Sequence, residues 1–368
     1  PSKNIILDEC GAPPLIGHKL RMPELAKSLR NISKQGATTF YQGELAELIV
    51  EANQSLGGLY TLEDFAKYHA YWQDPIHISY RGRDIFTTPP NSSGFQVLQT
   101  MKTMEGFHKL DLIPSDVSSI HTLMEVVKLC VTDRIKYAGD PDFVHIPVEG
   151  ILSKSYARRQ MQRVDQGIAA SVSGERFSQH KNIGSILSGK PEDFTDGMTT
   201  HFAVADRDGN VVSITQTLGG GFGSAVAVGE TGIFLNNMCN WFDLEEGSPN
   251  LIGPGKKVDF VIAPTQTFEH GKFLLSIGTP GSWGILQTTP QMLINILDFD
   301  MNIQQAIEAP RFRYYDGLHV DMEERFPTDV IHGLREIGHQ VRLIDPWSWE
   351  VGGAQGIFMD SKSGVFQG

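Results

Sequence analysis

The chain has 368 residues, of which 31 are Lys or Arg and 43 are Asp or Glu, so its formal net charge is −12. Hydrophobic residues make up 40% and charged residues 20%, a balance typical of a globular protein and not of a disordered one. The acidic balance argues against nucleic acid as a partner, because a phosphate backbone is bound by clustered Lys and Arg. No apolar run approaches the roughly 18 residues of a membrane span, so we expect no membrane partner.

The three cysteines, Cys10, Cys130 and Cys239, cannot all pair with one another, and no Cys/His spacing indicates a metal site. The chain begins at Pro1 without a Met or a signal-peptide pattern, so we expect it to be part of a longer gene product. Unpaired cysteines and the lack of a visible signal favour the cytoplasm. Export stays open, because the native N-terminus is not seen.

The first half of the sequence predicts mostly helices. Apolar residues recur at helical spacing over 23–36, 45–52 and 120–131, which indicates three amphipathic helices. A cluster of Pro, Asn, Ser and Gly at 89–94 predicts a loop. From about 150 to 198 the periodicity weakens, and Gly mixed with Ser, Gln and Lys predicts a long, partly flexible connector.

After residue 200 the pattern becomes typical of strands. The runs 202–205 and 211–215 flank a turn at 206–210 and predict a β-hairpin. Further strands are expected at 232–236, 258–268 and 272–277, then a Gly-rich turn at 278–284 and an apolar helix over about 285–297. Helices, then paired strands, then helices again predict an α+β fold with helix layers over an antiparallel sheet.

The pair Thr199-Thr200 joins the connector to the first strand of the hairpin. A Thr hydroxyl is a poor nucleophile unless a base lies beside it, and an N-terminal Thr carries its own base. Its α-amine has a pKa of about 7.7–8.0, so part of it is neutral at neutral pH. An internal Thr becomes N-terminal when the peptide bond before it is cut, here by attack of Thr199 on the carbonyl of Met198. Plain β propensity also explains two threonines before a strand.

Residues 199–210 resemble the start of the small subunit of the γ-glutamyltransferase family. Other segments resemble further family motifs in the right order: 40–43, 57–58, 80–82, 89–94, 133–141, 235–237, 278–282 and 309–312. Members are N-terminal-nucleophile hydrolases, in which a precursor cleaves itself and the new terminal Thr attacks γ-glutamyl amides. The resemblance covers about 15–365 and implies an α+β, four-layer αββα sandwich, with two stacked, mainly antiparallel sheets between helix layers.

The resemblance also implies where the chain is cut and which residues act. Cleavage between Met198 and Thr199 would leave 1–198 as part of the large subunit and 199–368 as the small subunit, together one αββα domain. Thr199 would be the nucleophile, its α-amine the base, and Thr217 the hydroxyl that supports both. Thr217 could also be an ordinary strand residue. The N-terminal part of the large subunit, with its carboxylate-binding Arg, would lie upstream of this chain.

A turn at Gly281-Ser282 matches a Gly-Gly pair of the family. Its backbone N–H groups would stabilise the negative charge of a tetrahedral intermediate. A helix follows the turn, so the helix dipole would add to this effect. The replacement of Gly by Ser282 keeps a backbone donor, although only Gly adopts some backbone angles easily. The same residues could also form nothing more than a tight turn.

The resemblance places substrate binding at Gly219, Asn237, Met238, Trp241, Phe260 and Val261. The family's acid, which pairs with a substrate ammonium, is replaced by Trp241, and its carboxylate-binding Ser pair by Phe260-Val261. Each lost contact is worth about 1–3 kcal/mol, so a free amino-acid head group would bind poorly. The sequence predicts a more apolar pocket, unless these aromatic residues pack in the core. The short connection 243–255 leaves too few residues for a lid and favours hydrolysis.

The leading interpretation is a self-processing amide hydrolase or acyltransferase that forms an acyl-enzyme and acts on an acyl amide other than a typical γ-glutamyl donor. One alternative is a true γ-glutamyltransferase, or glutathione hydrolase, with relocated head-group contacts. Another is a catalytically silent homologue that binds a ligand or partner. The expected partners are a small-molecule amide and the two subunits of one precursor, which could form a homodimer of heterodimers. No cofactor or metal is implied, and His201 is expected to be an ordinary strand residue.

Overall fold

A computed structural model describes residues 2–8, 10–171, 199–360 and 362–368. The chain divides into two compact units, Pro1–Gln73 with Leu218–Met238 and Asp74–Thr217 with Cys239–Gly368. These units reflect spatial contacts and do not follow the predicted cut before residue 199. The division into subunits therefore stays a prediction.

The first unit is mostly helical. Its helices are Lys3–Ile6, Pro23–Gln35, Thr38–Tyr41, Glu44–Ser55 and Leu62–Lys67, and its two short strands, Ala227–Val228 and Ile233–Phe234, form an antiparallel pair. The helix Pro23–Gln35 confirms the prediction for 23–36: Pro23 lies in its first turn, and Gly36 ends it with a φ of 75°. The Ser28 hydroxyl donates a hydrogen bond of 2.8 Å to the Thr231 carbonyl, which ties this helix to the strand pair.

The second unit is built on an antiparallel sheet, here called the central sheet. Over the described part of the chain it has six strands, which are in spatial order Ile76–Tyr80, Arg83–Thr87, Thr265–Glu269, Lys272–Gly278, Gln355–Met359 and Phe366–Gln367. The first two strands precede the predicted cut and the other four follow it. Both predicted subunits therefore contribute strands to one sheet.

Helices of the second unit surround one large core and, among the described residues, a small second cluster. They are Phe95–Met104, Val117–Tyr137, Val148–Ile151, Lys154–Met161, Ile285–Leu297, Ile303–Glu308 and Thr328–Glu336. Short 3₁₀ helices occupy Lys109–Asp111, Ser282–Gly284 and Trp349–Val351, and one at Met238–Trp241 crosses the boundary between the units. Met101, Met124 and Leu293 come from three different helices and are completely buried in this core. Among the described helices, none is both long and apolar enough to cross a membrane.

The described residues of the second unit contain two further strand pairings. Thr199–Ala205 and Val211–Thr217 form an antiparallel hairpin, here called the Thr199 hairpin, which packs on the central sheet. Phe312–Asp316, His319–Glu323 and Gln340–Ile344 form a mixed three-stranded sheet.

Successive residues of a strand point to opposite faces of its sheet. Ile277 faces the helix Ile303–Glu308, and Gly278 faces the ring of His201 in the Thr199 hairpin. The hairpin and that helix therefore cover opposite faces of the central sheet.

The structure confirms several predicted elements and corrects three, one of which is the strand predicted at 232–236, where the strand is Ile233–Phe234. The hairpin about 206–210 and the helix over 285–297 are present. The connector predicted from 150 is wrong over its first part, because Lys154–Met161 is a helix whose N-terminus is capped by the Ser153 hydroxyl. The strand predicted at 258–268 is also wrong over its first part, since only Thr265–Glu269 joins the sheet. Residues 172–198 lie outside the described residues.

Candidate active site

Thr199 and Thr217 lie directly opposite each other in the register of the Thr199 hairpin. Directly opposite residues in an antiparallel pair have Cβ atoms about 4.5–5.5 Å apart, so their side chains are neighbours. Thr199 is only 7% exposed, and its Oγ1 atom has no hydrogen-bond partner within the described parts of the chain. This hydroxyl therefore has no competing hydrogen bond among the described residues, which suits a nucleophile, although other buried hydroxyls such as those of Thr103 and Ser276 share this feature.

His201, two residues after Thr199, fixes the hairpin on the central sheet. Its Nδ1 atom lies 2.8 Å from Thr215 Oγ1. Burial lowers the pKa of His201 to about 4, so the ring is neutral at pH 7. A Cβ atom built on Gly278 would lie 2.3 Å from the ring, so only Gly allows this approach. The start of the hairpin is thereby held over the end of Lys272–Gly278.

The turn at Gly281-Ser282 follows that strand and opens into the 3₁₀ helix Ser282–Gly284 and then Ile285–Leu297. Gly281 has a φ of 129° and Ser282 a φ of 53°, so both adopt left-handed backbone. Within the part of the chain that the structure describes, neither backbone N–H makes a hydrogen bond. Two donors at the start of a helical segment can stabilise an anion.

Three aromatic side chains of the second unit form a cluster beside this turn. The ring centroid of Trp241 lies 6.2 Å from that of Phe260 and 5.8 Å from that of Trp283. Trp283 directly follows Ser282 and is 37% exposed. Val261, by contrast, is completely buried in the core. The structure therefore brings Trp241 and Phe260 together next to the turn and places Val261 behind them.

The remaining predicted binding residues lie in the first unit. Asn237 Oδ1 accepts a 2.9 Å hydrogen bond from the backbone N–H of Gly220. A Cβ atom on Gly219, whose φ is 91°, would lie 1.9 Å from that oxygen and 3.4 Å from Met238 Sδ. Gly219, Asn237 and Met238 thus pack against one another, and the Asn237 amide fills the space that a larger residue at 219 would need.

Sequence reasoning missed a buried group of polar residues next to the aromatic cluster. The Ser93 hydroxyl donates to Asp259 Oδ1, and Arg134 Nη1 donates to Asp259 Oδ2 at 2.8 Å. Burial raises the pKa of the Asp259 carboxyl, while Arg134 and Ser93 act in the opposite direction by stabilising the carboxylate. Ser93 and Arg134 lie in segments that resemble family motifs, but Asp259 carries no such signal.

A second group that sequence reasoning missed has the composition of a metal site. The candidate ligand atoms of His121, Glu125 and His339 lie within 4.8 Å of one another, and all three residues are buried. Lys128 Nζ donates to Glu125 Oε1 at 2.7 Å and lies 3.3 Å from His339 Nδ1. An ammonium group therefore already neutralises Glu125, and a metal could bind only if Lys128 moved away.

A family model described as gamma-glutamyltranspeptidase matches residues 2–368. The chain belongs to the gamma-glutamyltranspeptidase family. The glutathione hydrolase proenzyme of Escherichia coli (strain K12) is 34% identical over 356 residues, which cover 93% of this chain and 59% of that protein. The acylase ACY 1 proenzyme of Pseudomonas sp. (strain SE83) is 33% identical over 332 residues, which cover 90% of this chain and 57% of that protein.

The fold of this gamma-glutamyltranspeptidase family member matches that of a solved relative. The cephalosporin acylase from Bacillus halodurans superposes with a TM-score of 0.87 at 30% identity, over 100% of this chain and 63% of that one. This match confirms the α+β sandwich fold of the N-terminal-nucleophile hydrolases. The chain spans about three fifths of the length of these relatives. They include glutathione hydrolases and acylases, so family membership does not decide which acyl group this chain transfers.

Proposed function

We propose that this member of the gamma-glutamyltranspeptidase family is a self-processing amide hydrolase and acyltransferase with Thr199 as its nucleophile. The observation that carries the proposal is the buried Thr199 hydroxyl, which has no partner among the described residues and lies opposite Thr217. Two relatives are named as proenzymes, which supports self-processing. The self-cleavage partner, Met198, lies outside the described residues.

Self-cleavage begins with attack of Thr199 Oγ1 on the carbonyl carbon of Met198. The peptide C–N bond breaks as an ester forms, and the nitrogen of Thr199 takes the hydroxyl proton and becomes a free α-amine. Water then hydrolyses the ester, which leaves a carboxylate on Met198. The product is a small subunit that begins with a Thr and therefore carries nucleophile and base on one residue.

The same residue then performs acyl transfer. The neutral α-amine takes the Thr199 hydroxyl proton while Oγ1 attacks the substrate amide, and the N–H groups of Gly281 and Ser282 stabilise the developing oxyanion. The amine hands the proton to the leaving nitrogen, and water or a second amine releases the acyl group. The reference pKa of an α-amine is about 7.7–8.0, and burial favours its neutral form, so the base is available at neutral pH.

We further infer that the acyl group is apolar. Trp241, Phe260 and Trp283 supply an aromatic wall beside the turn, and the polar residues that would hold an amino-acid head group are absent at 241 and 260. Burying an ammonium and a carboxylate without partners costs several kcal/mol, so a γ-glutamyl donor is disfavoured. A relative named as an acylase proenzyme is compatible with this choice, but a glutathione hydrolase proenzyme is equally similar, so the choice rests on the residues of the pocket.

Self-cleavage is tested by following freshly produced protein on denaturing gels and sequencing the smaller band. We expect two bands, the smaller beginning at Thr199, and we expect Thr199→Ala to remain a single band. Thr200→Ala changes the exposed neighbour and serves as the matched control that still cleaves. A Thr199→Ala protein that cleaves, or a wild-type chain that never cleaves, would refute the proposal and favour a silent binding homologue.

The acyl preference is tested by comparing phenylacetyl-p-nitroanilide with γ-glutamyl-p-nitroanilide. We expect kcat/KM to favour the phenylacetyl compound by about tenfold or more, since one missing bond to a charged group already costs about 1.5 kcal/mol. A preference for the γ-glutamyl compound would instead support a true γ-glutamyltransferase with relocated contacts.

A further inference from the structure

Arg134 is held between an acid on one side and an indole ring on the other. Its Nη1 atom donates to Asp259 Oδ2 at 2.8 Å, and its Cζ atom lies 4.4 Å from the centroid of the Trp283 ring. Asp259 is only 2% exposed, and it also accepts a hydrogen bond from the Ser93 hydroxyl. Asp259 thus orients the guanidinium, which stacks on Trp283, the residue directly after Ser282.

Ser282 needs such support, because its φ of 53° is unfavourable for a residue with a side chain. Gly281 and Gly284, on either side of the Ser282-Trp283 pair, have no side chains by which the turn can be held. A Cβ atom on Gly281 would meet backbone atoms, of which those of Gly352, at 3.2 Å, are the nearest. The Trp283 ring is therefore a side chain through which Arg134 can act on the turn.

We propose that Arg134 is a positioning residue for acyl transfer: it fixes Trp283 and thereby holds the backbone N–H groups of Gly281 and Ser282 where the oxyanion develops. This inference rests on the proposed function. Asp259 and Ser93 orient Arg134, and in this proposal the three act through Trp283 and not on the substrate. A misplacement of about 1 Å at an active site can cost about a hundredfold in rate, so the stack has a catalytic consequence.

An arginine suits this role better than a lysine. The guanidinium is planar, so one face stacks on an indole while its edge donates to a carboxylate. A lysine at 134 can keep the charge beside Asp259 but loses the flat stacking surface. Arg134→Lys therefore removes the stacking on Trp283 but keeps a positive charge beside the buried carboxylate of Asp259.

The first test measures hydrogen exchange of the peptide that contains residues 279–286. The backbone N–H groups of Gly284 and Ile285 donate to the carbonyls of Gly281 and Ser282, so their exchange reports on the turn. We expect about tenfold faster exchange there in Arg134→Lys and in Trp283→Leu, because local opening governs the rate. Unchanged exchange in both variants would overturn the proposal.

Arg81→Lys is the matched control. Arg81 also pairs with a buried acid, Asp298, at 2.9 Å, and lies over an aromatic ring, that of Tyr80, at 5.2 Å. It sits at the turn between the first two strands of the central sheet, where no predicted site residue lies. We expect Arg81→Lys to leave both the exchange of 279–286 and the kinetics as in the wild type.

The second test measures kcat and KM for phenylacetyl-p-nitroanilide in a double-mutant cycle. We expect Arg134→Lys to lower kcat about tenfold with little change in KM, because the oxyanion contact forms only in the transition state. In a Trp283→Leu background Arg134→Lys should add nothing, because Arg134 acts through that ring. Full additivity, or a wild-type kcat in Arg134→Lys, would overturn the proposal. A wild type that hydrolyses no amide refutes the proposed function, and the exchange test still decides the role of Arg134.

Discussion

The protonation of the buried His201 ring affects the stability of the protein. Burial lowers the pKa of the ring from 6.5 to about 4 in the folded state. Between these two values the unfolded chain binds a proton that the folded chain excludes, so protons favour unfolding. The stabilisation is complete above pH 6.5 and declines as the pH falls towards 4.

We therefore expect the free energy of unfolding to fall between pH 6.5 and 4 in the wild type. Each pKa unit is worth about 1.4 kcal/mol, so His201 alone contributes on the order of 3 kcal/mol to this loss. His201→Gln should show a shallower decline in urea unfolding measured across this range. His332→Gln, which changes an exposed histidine, should decline as the wild type does. Equal slopes for His201→Gln and the wild type would contradict this account.

Some individual residues were predictable from the sequence and others were not. The resemblance to the γ-glutamyltransferase family pointed to Thr199 and Thr217, and the hairpin about the turn at 206–210 agreed with their pairing, which the register shows. Their roles stay predictions. Arg134 and Asp259 were not predictable, because their contact joins positions 125 residues apart and neither residue type is unusual. The buried Glu125–Lys128 pair was missed for another reason: at a spacing of three on a helix it reads as an exposed surface pair.

At the scale of elements, the packing of the Thr199 hairpin on the central sheet depends on Gly278. The ring of His201 occupies the space where a larger side chain would lie. Any side chain at 278 would force the hairpin away from Lys272–Gly278 and move Thr199 with respect to the Gly281-Ser282 turn.

We expect Gly278→Ala to destabilise the protein by about 1–3 kcal/mol, the usual cost of overpacking a core. We also expect it to slow self-cleavage, since Thr199 shifts. The measurements are urea unfolding and the rate of appearance of the smaller band. Gly150→Ala is the control, because its Cβ would lie 4.0 Å from the nearest atom. Wild-type stability and cleavage in Gly278→Ala would show that the hairpin is not held in this way.

Whole elements were predicted well where apolar periodicity governs packing, as in Ile285–Leu297. The helix Lys154–Met161 was missed because it docks through polar groups. Tyr156 Oη and Gln160 Nε2 both donate to Asp133 Oδ2, at 2.8 and 2.7 Å. Hydrogen bonds of this kind leave no hydrophobic pattern in the sequence, so the segment resembled a connector.

At the scale of the whole molecule, the two predicted subunits are interleaved within the second unit. The central sheet takes strands from both sides of residue 199. Lys128 Nζ also donates to the carbonyl of Ala170 at 3.0 Å and lies near His339, so it connects the end of the described part before residue 172 with the C-terminal part. We expect the fragments to stay associated after cleavage, because separating them would split the sheet and expose the core.

The central claim is that Thr199 carries the acyl group, and intact-mass spectrometry tests it most directly. The protein is mixed with phenylacetyl-p-nitroanilide and quenched in acid during turnover; one portion is weighed intact and the other is digested to peptides. We predict that the fragment 199–368 gains the mass of one phenylacetyl group and that the peptide carrying it begins with Thr199. Turnover by an uncut chain, or an acyl group on any other residue, would contradict the account.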